Sequence, residues 1–400
     1  MVDLRARHRE LGPELRAAVE RVAASGSFIL GPTVASFERA LARHCGVPHA
    51  VGVASGTDAL ALALIAGGVE PGDRVITTPL SFIATAEAIV RVGASPLFVD
   101  VEEAGLCLSA AAVAGVLSAC RRDRRGRLVD PETGARVGAI LPVHLYGRVA
   151  DLDGLAAIAT EAGLPLIEDA AQAIGARLGA QRLGAHGAAC LSFFPTKNLG
   201  GWGDGGAVLT ADEVLADRIR ALRVHGVREP GVHGELGFNS RLDAIQAAVL
   251  QVQFARLDEL DQRRRRNAAR YSALLAAARL SDWIAPPPEL RPGDVCHLYT
   301  VMLRARGSGD EAGPAALRAA LRAHLDREGI GSAVYYPALL CDQPAIAASV
   351  NRPVGPLPVA RAATHQVLSL PVHETLAAGA IERVVAALID FFAGRAVAGG

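Results

Sequence analysis

The stretch Ala50-Val51-Gly52-Val53-Ala54-Ser55-Gly56-Thr57-Asp58-Ala59-Leu60 holds the fold in miniature. Its apolar start, Ala50 to Val53, reads as a strand, and apolar residues from Asp58 to Ala66 repeat at helical spacing. Between them a glycine permits close backbone approach. A helix that starts there has unpaired N–H groups at its positive end, which is the geometry of an anion site. A Ser-Gly-Thr turn that only caps a helix reads the same way. This segment alone leaves the ligand open.

Outward from it, strand-like and helical runs alternate. Arg74 to Thr77 and Ser95 to Val99 read as strands around a helix at Ala84 to Val92. Ala139 to His144, Leu164 to Ile167 and Ala189 to Phe193 read as further strands, with a helix at Leu152 to Ala162. The alternation predicts an α/β fold whose mainly parallel sheet is covered by helices. Ligands of such sheets bind beyond the carboxyl ends of the strands. Two helices, Leu15 to Ala24 and Val34 to His44, precede the first strand. Asp243 to Ala278 reads as one long or broken helix, followed by the Pro-rich Ala285 to Pro292. Beyond it, Leu298 to Leu303 and Ser332 to Tyr336 read as strands of a smaller C-terminal α+β domain, covered by helices at Ala315 to Gly329 and Gly379 to Gly394. The expected domains are 1–255 and 256–400. The insertion Arg121 to Val137 reads as a surface loop or hairpin.

With 400 residues, a large domain plus a smaller one is the natural expectation. The 41 basic and 41 acidic residues balance, so no net charge drives the chain toward nucleic acid or an anionic membrane. The basic run Arg121 to Arg127 reads as a solvated loop and Arg263 to Arg266 as the charged face of a helix. None of the six cysteines has CxxC spacing, so neither a metal site nor a redox motif is expected. They read as reduced thiols of a cytoplasmic protein. Met1 to Arg9 lacks the apolar stretch of a signal peptide, and the run Ala59 to Val69 is too short to span a bilayer.

Two further segments carry chemistry. Pro165-Leu166-Ile167-Glu168-Asp169-Ala170-Ala171-Gln172 puts two acids at the end of an apolar strand. A buried acid needs a cation or hydrogen bonds, and a protonated pyridine nitrogen is such a cation; an acid capping the next helix is the plain alternative. Ser192-Phe193-Phe194-Pro195-Thr196-Lys197-Asn198-Leu199-Gly200-Gly201-Trp202-Gly203-Asp204-Gly205-Gly206 confines Lys197 among aromatics and glycines. An ammonium so held can lose its proton and act as nucleophile or base, although a solvated loop lysine fits too. The glycine run lacks Walker or dinucleotide spacing. Phosphate nest, acid and lysine, in that order on a parallel sheet, supply three contacts that pyridoxal 5'-phosphate needs.

Together with Gly237-Phe238-Asn239-Ser240-Arg241-Leu242-Asp243, these segments resemble the DegT/DnrJ/StrS family of sugar aminotransferases, within the fold-type-I enzymes similar to aspartate aminotransferase. The likeness runs from Gly31-Pro32 through Leu368-Ser369-Leu370-Pro371. It implies Lys197 as covalent anchor and base, Asp169 as partner of the ring nitrogen and Gln172 as partner of the ring hydroxyl. It implies Gly56, Thr57 and Ser192 as phosphate ligands and Phe82 as the residue stacked on the ring. Asn239 is implied to reach the cofactor of a neighbouring subunit, making a homodimer with shared sites, and Arg241 to face the substrate. Read without the resemblance, Phe82 is a core aromatic and Asn239 a turn residue. Tyr335 and Tyr336, expected beside the sugar, stand where the family often has His-Tyr, and Cys341 replaces a later family histidine.

The implied reaction moves an amino group from glutamate, by way of pyridoxamine phosphate, to a UDP- or TDP-linked keto-sugar. The segment after Lys197 and the stretch Thr77 to Glu87 resemble branches acting at C3. A 4-keto nucleotide sugar, a cyclitol ketone and a non-catalytic regulatory protein of the same fold remain alternatives. A related sugar dehydratase would carry histidine in place of Lys197.

Overall fold

Every residue of the strands Arg74–Thr77, Val137–Leu141, Leu166–Asp169 and Gly206–Thr210 is buried, the pattern of a sheet covered on both faces. The computed structural model describes residues 2–179, 181–304, 313–349 and 356–396. In chain order, α1 (Leu4–Ser25) and α2 (Gly31–Cys45) precede β1 (His49–Val53), α3 (Gly56–Ala66), β2 (Arg74–Thr77), α4 (Ala84–Arg91), β3 (Ser95–Phe98) and α5 (Ala110–Ala119). Next come a hairpin, β4 (Arg121–Arg122) and β5 (Leu128–Val129), then β6 (Val137–Leu141), α6 (Leu152–Ala162) and β7 (Leu166–Asp169). A small hairpin, β8 (Arg177–Leu178) and β9 (Gln181–Arg182), leads to β10 (Gly187–Ser192), β11 (Gly206–Thr210) and α7 (Glu213–Leu222).

The central sheet has seven strands in the order β1-β11-β10-β7-β6-β2-β3. β11 pairs antiparallel with both β1 and β10, and the remaining pairs are parallel. All strands but β11 therefore point the same way, and their carboxyl ends form one edge. The sheet is the mainly parallel α/β arrangement that the pattern predicts, in the fold-type-I form that the resemblance implies.

A third hairpin, β12 (Val227–Glu229) and β13 (Val232–His233), precedes α8 (Ala244–Phe254) and α9 (Leu257–Ala277). The expected long helix thus breaks at Ala255 and Arg256. β14 (Ile284–Ala285), β15 (Tyr299–Leu303) and β16 (Val367–Leu370) form a second, antiparallel sheet. Helices α10 (Gly313–Arg327), α11 (Pro344–Ala347), α12 (Pro358–Gln366) and α13 (Ala380–Ala396) complete the chain. A second cluster of buried side chains runs from Ala268 to Phe392, while Leu339, Leu340 and Ile346 pack back onto the core of the first sheet.

Two expectations need correction. Ser332 to Tyr336 is not a strand: only Ala333 pairs with the sheet, opposite Ser369, after which the chain turns toward the first sheet. Nor is Arg263 to Arg266 simply a solvated face, because Arg264 is buried against Glu374. Four consecutive helical positions span more than one turn, so one of them must face inward.

The insertion has a structural use. Arg74, at the start of β2, is buried, and its Nη1 donates to Asp130 Oδ2 at 3.0 Å from within the insertion. Asp130→Ala would strand that guanidinium. A loss of about 3 kcal/mol in unfolding free energy is expected, measured by urea denaturation; a wild-type midpoint would refute the pairing.

Candidate active site

Strand alternation separates the two adjacent acids at the end of β7. Glu168 accepts from Gly184 N–H at 2.9 Å and lies 3.0 Å from His144 Nε2, all three residues out of water or nearly so. His144 Nδ1 accepts from Ala150 N–H at 3.1 Å, so the ring proton sits on Nε2 and is donated to Glu168. Glu168 is therefore a core residue. Asp169 faces the other way. Its Oδ1 accepts from Ala171 N–H at 3.1 Å and its Oδ2 from Thr85 Oγ1 at 2.7 Å. Because Thr85 donates there, Ser81 must donate to Thr85, 2.8 Å away. The carboxylate is fixed in direction before anything binds it.

Lys197 lies in the loop after β10, the strand that pairs with β7 through Cys190 and Asp169. Its amine has no hydrogen bond or ion pair among the described residues. Burial pulls its pKa below the ordinary lysine value, and the Asp169 charge opposes that shift. Lys197 is also the sole lysine of the chain, a signal present in the composition that motif reading passed over. The other 40 of its 41 Lys and Arg side chains are arginine, which cannot deprotonate.

At the β1–α3 turn, Ser55 Oγ accepts from Asp58 N–H at 3.0 Å and Ser55 O from Ala59 N–H. That leaves the amides of Gly56 and Thr57 unpaired at the positive end of the helix. A Cβ on Gly56 would lie 2.7 Å from Ser192 Cβ, so glycine is required for this helix start to meet β10. The same holds for Gly206, where a Cβ would meet Ser55 O at 2.4 Å. Gly56, Thr57 and Ser192 thus converge on one cradle, bordered by a donor hydroxyl and two amides.

Gln172 joins two layers. Its Oε1 accepts from Tyr146 N–H at 2.7 Å, and its Nε2 donates to Tyr336 Oη at 3.2 Å. Tyr146 holds a left-handed backbone (φ 61°), which aims its N–H at the glutamine. Its hydroxyl donates to the carbonyl of Tyr335. Burial, with the neighbouring Asp169 charge, pushes the Tyr336 phenol well above its ordinary value. Phe82 is 59% exposed and its ring centroid lies 6.5 Å from that of Tyr336. It is an exposed aromatic beside Tyr336 and not part of the core.

Asn239 is exposed and Arg241 half-buried; among the described residues neither side chain has a partner. Their segment is held by Ser240, whose Oγ accepts from Ala54 N–H at 3.3 Å, beside the cradle. Among the described residues no cluster of His, Cys, Asp and Glu forms a metal site, and no helix is long and apolar enough to cross a membrane. Sequence reading named Lys197, Asp169, Gly56, Thr57 and Ser192, which the fold brings to one edge of the sheet. It assigned nothing to Thr85, which sits in the resembling stretch, or to Tyr146, which carries no motif.

This edge is that of an aminotransferase. The profile of the DegT/DnrJ/EryC1/StrS aminotransferase family matches residues 9–389, and the chain belongs to that family of pyridoxal-phosphate enzymes. It is 41% identical over 98% of its length to the dTDP-3-amino-3,4,6-trideoxy-alpha-D-glucose transaminase of Streptomyces venezuelae, covering 95% of that protein. It is also 41% identical to the UDP-N-acetyl-3-dehydro-alpha-D-glucosamine 3-aminotransferase of Acidithiobacillus ferrooxidans, over 96% of this chain and 95% of the other. A protein of Geobacillus stearothermophilus named a pleiotropic regulatory protein is 40% identical over 98% of each chain. Among solved structures, S. venezuelae DesV in complex with a ketimine intermediate superposes with a TM-score of 0.85, at 41% identity and 97% coverage of each chain.

Proposed function

We propose that the protein transfers an amino group from glutamate to C3 of a UDP- or TDP-linked keto-sugar, releasing 2-oxoglutarate. The observation that carries the chemistry is the unpartnered, partly buried amine of the sole lysine beside a carboxylate held in place by Thr85 and Ala171. The sugar reading leans on the 3-amino products and 3-keto substrate named for the two transaminase relatives.

The donor set suits pyridoxal phosphate: an amine able to lose its proton, an anion cradle and a fixed carboxylate. When bound, that group supplies an electron sink for the carbon–hydrogen bond being broken. Gly56 and Thr57 amides with Ser192 Oγ would hold the phosphate, and Asp169 would keep a proton on the ring nitrogen. Gln172 would meet the ring hydroxyl, and Phe82 would pack against the ring. Lys197 Nζ would take the proton from the donor's α-carbon and pass it to the bound group; toward the keto-sugar it would perform the reverse transfer. Arg241, a free guanidinium, pairs with a phosphate or carboxylate of the substrate, and Tyr335 with Tyr336 close over the sugar.

We take residues 1–255 as the cofactor domain and 256–400 as the closing domain, in a cytoplasmic homodimer. Exposed Phe28, Ile29, Trp202 and Phe238 surround the start of α8 near Asn239, an apolar surface suited to a second copy whose Asn239 completes the site. A solely regulatory role, suggested by the Geobacillus relative's name, would leave the Lys197 amine and the Gly56 cradle without use.

Purified protein incubated with glutamate and a panel of 3-keto, 4-keto and cyclitol ketones tests the reading. A product in which an amino group and a hydrogen replace the carbonyl oxygen, seen only with 3-keto nucleotide sugars, supports it; amination of a 4-keto sugar or cyclitol alone overturns the regiochemistry. Gly56→Ala, which crowds Ser192, is expected to weaken cofactor binding about tenfold by fluorescence titration, roughly 1.4 kcal/mol. An unchanged affinity would remove the cradle from the phosphate site.

A further inference from the structure

The backbone of Lys197 is gripped from behind by groups outside every motif. Arg7, buried near the start of α1, donates from Nη1 to the Lys197 carbonyl at 3.3 Å and from Nε to Glu374 Oε1 at 2.7 Å. The other oxygen of Glu374 accepts from Arg264 Nε of α9 at 2.8 Å. Arg264 Nη1 reaches the carbonyl of His297 at 3.2 Å, and His297 Nδ1 lies 3.1 Å from Asn198 Oδ1, next to Lys197. Burial pushes the Glu374 carboxyl up, but Arg264 and Arg7 outweigh it and hold it at about 2, so it stays ionised. Burial pushes His297 well down, and the Lys197 charge adds to that, so the imidazole is neutral.

We infer that Arg7, Glu374 and Arg264 form a clamp that positions Lys197, with Arg7 acting through the lysine's own carbonyl. This rests on Lys197 being the reactive amine. Four separate elements meet at this point: α1, α9, the segment before β15 and the turn after β16. A side chain that must deliver a proton between two substrates needs its main chain held, because an error near 1 Å costs orders of magnitude in rate. A clamp from both the N-terminal helix and the C-terminal part fixes the lysine against both.

The informative variant is Arg7→Met. It deletes the bond to the Lys197 carbonyl yet leaves Glu374 paired with Arg264, avoiding the stranded charge that replacing Glu374 would create. Since the chain has no other lysine, acylation of the cofactor-free protein by an N-hydroxysuccinimide ester, followed by peptide mass spectrometry, reports on this one amine. Arg7→Met is expected to acylate Lys197 at least about threefold faster and to lower kcat for the glutamate half-reaction about tenfold, with KM for the keto-sugar unchanged. Arg270→Met, which breaks the exposed pair with Glu382, is the control and should match wild type in both readings. If Arg7→Met only lowers the melting temperature, while acylation rate and kcat stay at wild type, the clamp is structural and the inference fails. If Lys197→Ala keeps its activity, the functional reading fails instead.

Discussion

Replacing Lys197 with alanine is expected to reduce kcat by at least about 10⁴-fold, the scale of losing a group that is both nucleophile and base. Nothing nearby can substitute. His297 is neutral, but its Nδ1 is committed to Asn198 and its side chain is buried. The Tyr336 phenol is pushed well up by burial and holds its proton. Borohydride treatment with pyridoxal phosphate should add one pyridoxyl mass to the wild-type peptide containing Lys197. In the variant no side chain can accept it, because no other lysine exists. Retained turnover, or a pyridoxyl group on any other side chain of the wild type, would remove Lys197 from its role.

Asp169→Asn should cost kcat on the order of 10³-fold. The substitution preserves size and the bond from Ala171 N–H, but removes the charge proposed to keep a proton on the ring nitrogen. It has a second effect of known sign. The Asp169 carboxylate raises the Lys197 pKa, so its loss lets the amine deprotonate at lower pH. The pH profile of Lys197 acylation in the cofactor-free protein should therefore shift downward. Glu168→Gln, one residue away on the opposite face, perturbs His144 and should lower stability while leaving the cofactor's visible spectrum intact. Should the two variants exchange phenotypes, the assignment of faces at the end of β7 is wrong.

Much of this site was legible because it is local. Alternation of strand and helix placed the β1–α3 turn, the end of β7 and the loop after β10 on one sheet edge, as parallel strands must. The free amides of Gly56 and Thr57 follow from the helix start itself. Phe82 was harder. An aromatic after an apolar run reads as core, and only the family resemblance set it apart; in the structure it is exposed beside Tyr336.

The sequence by itself determined the order of elements, the strand that ends in Asp169 and the loop that carries Lys197, because periodicity and turn chemistry act over a few residues. Which of the four consecutive arginines Arg263 to Arg266 turns inward, and that Tyr146 N–H meets Gln172, only the tertiary structure decided. Arg7 touches a carbonyl 190 positions away and a carboxylate 367 positions away. Such contacts leave no local pattern, since they arise when separate helices and turns pack together and a buried charge must find its partner wherever packing has put it.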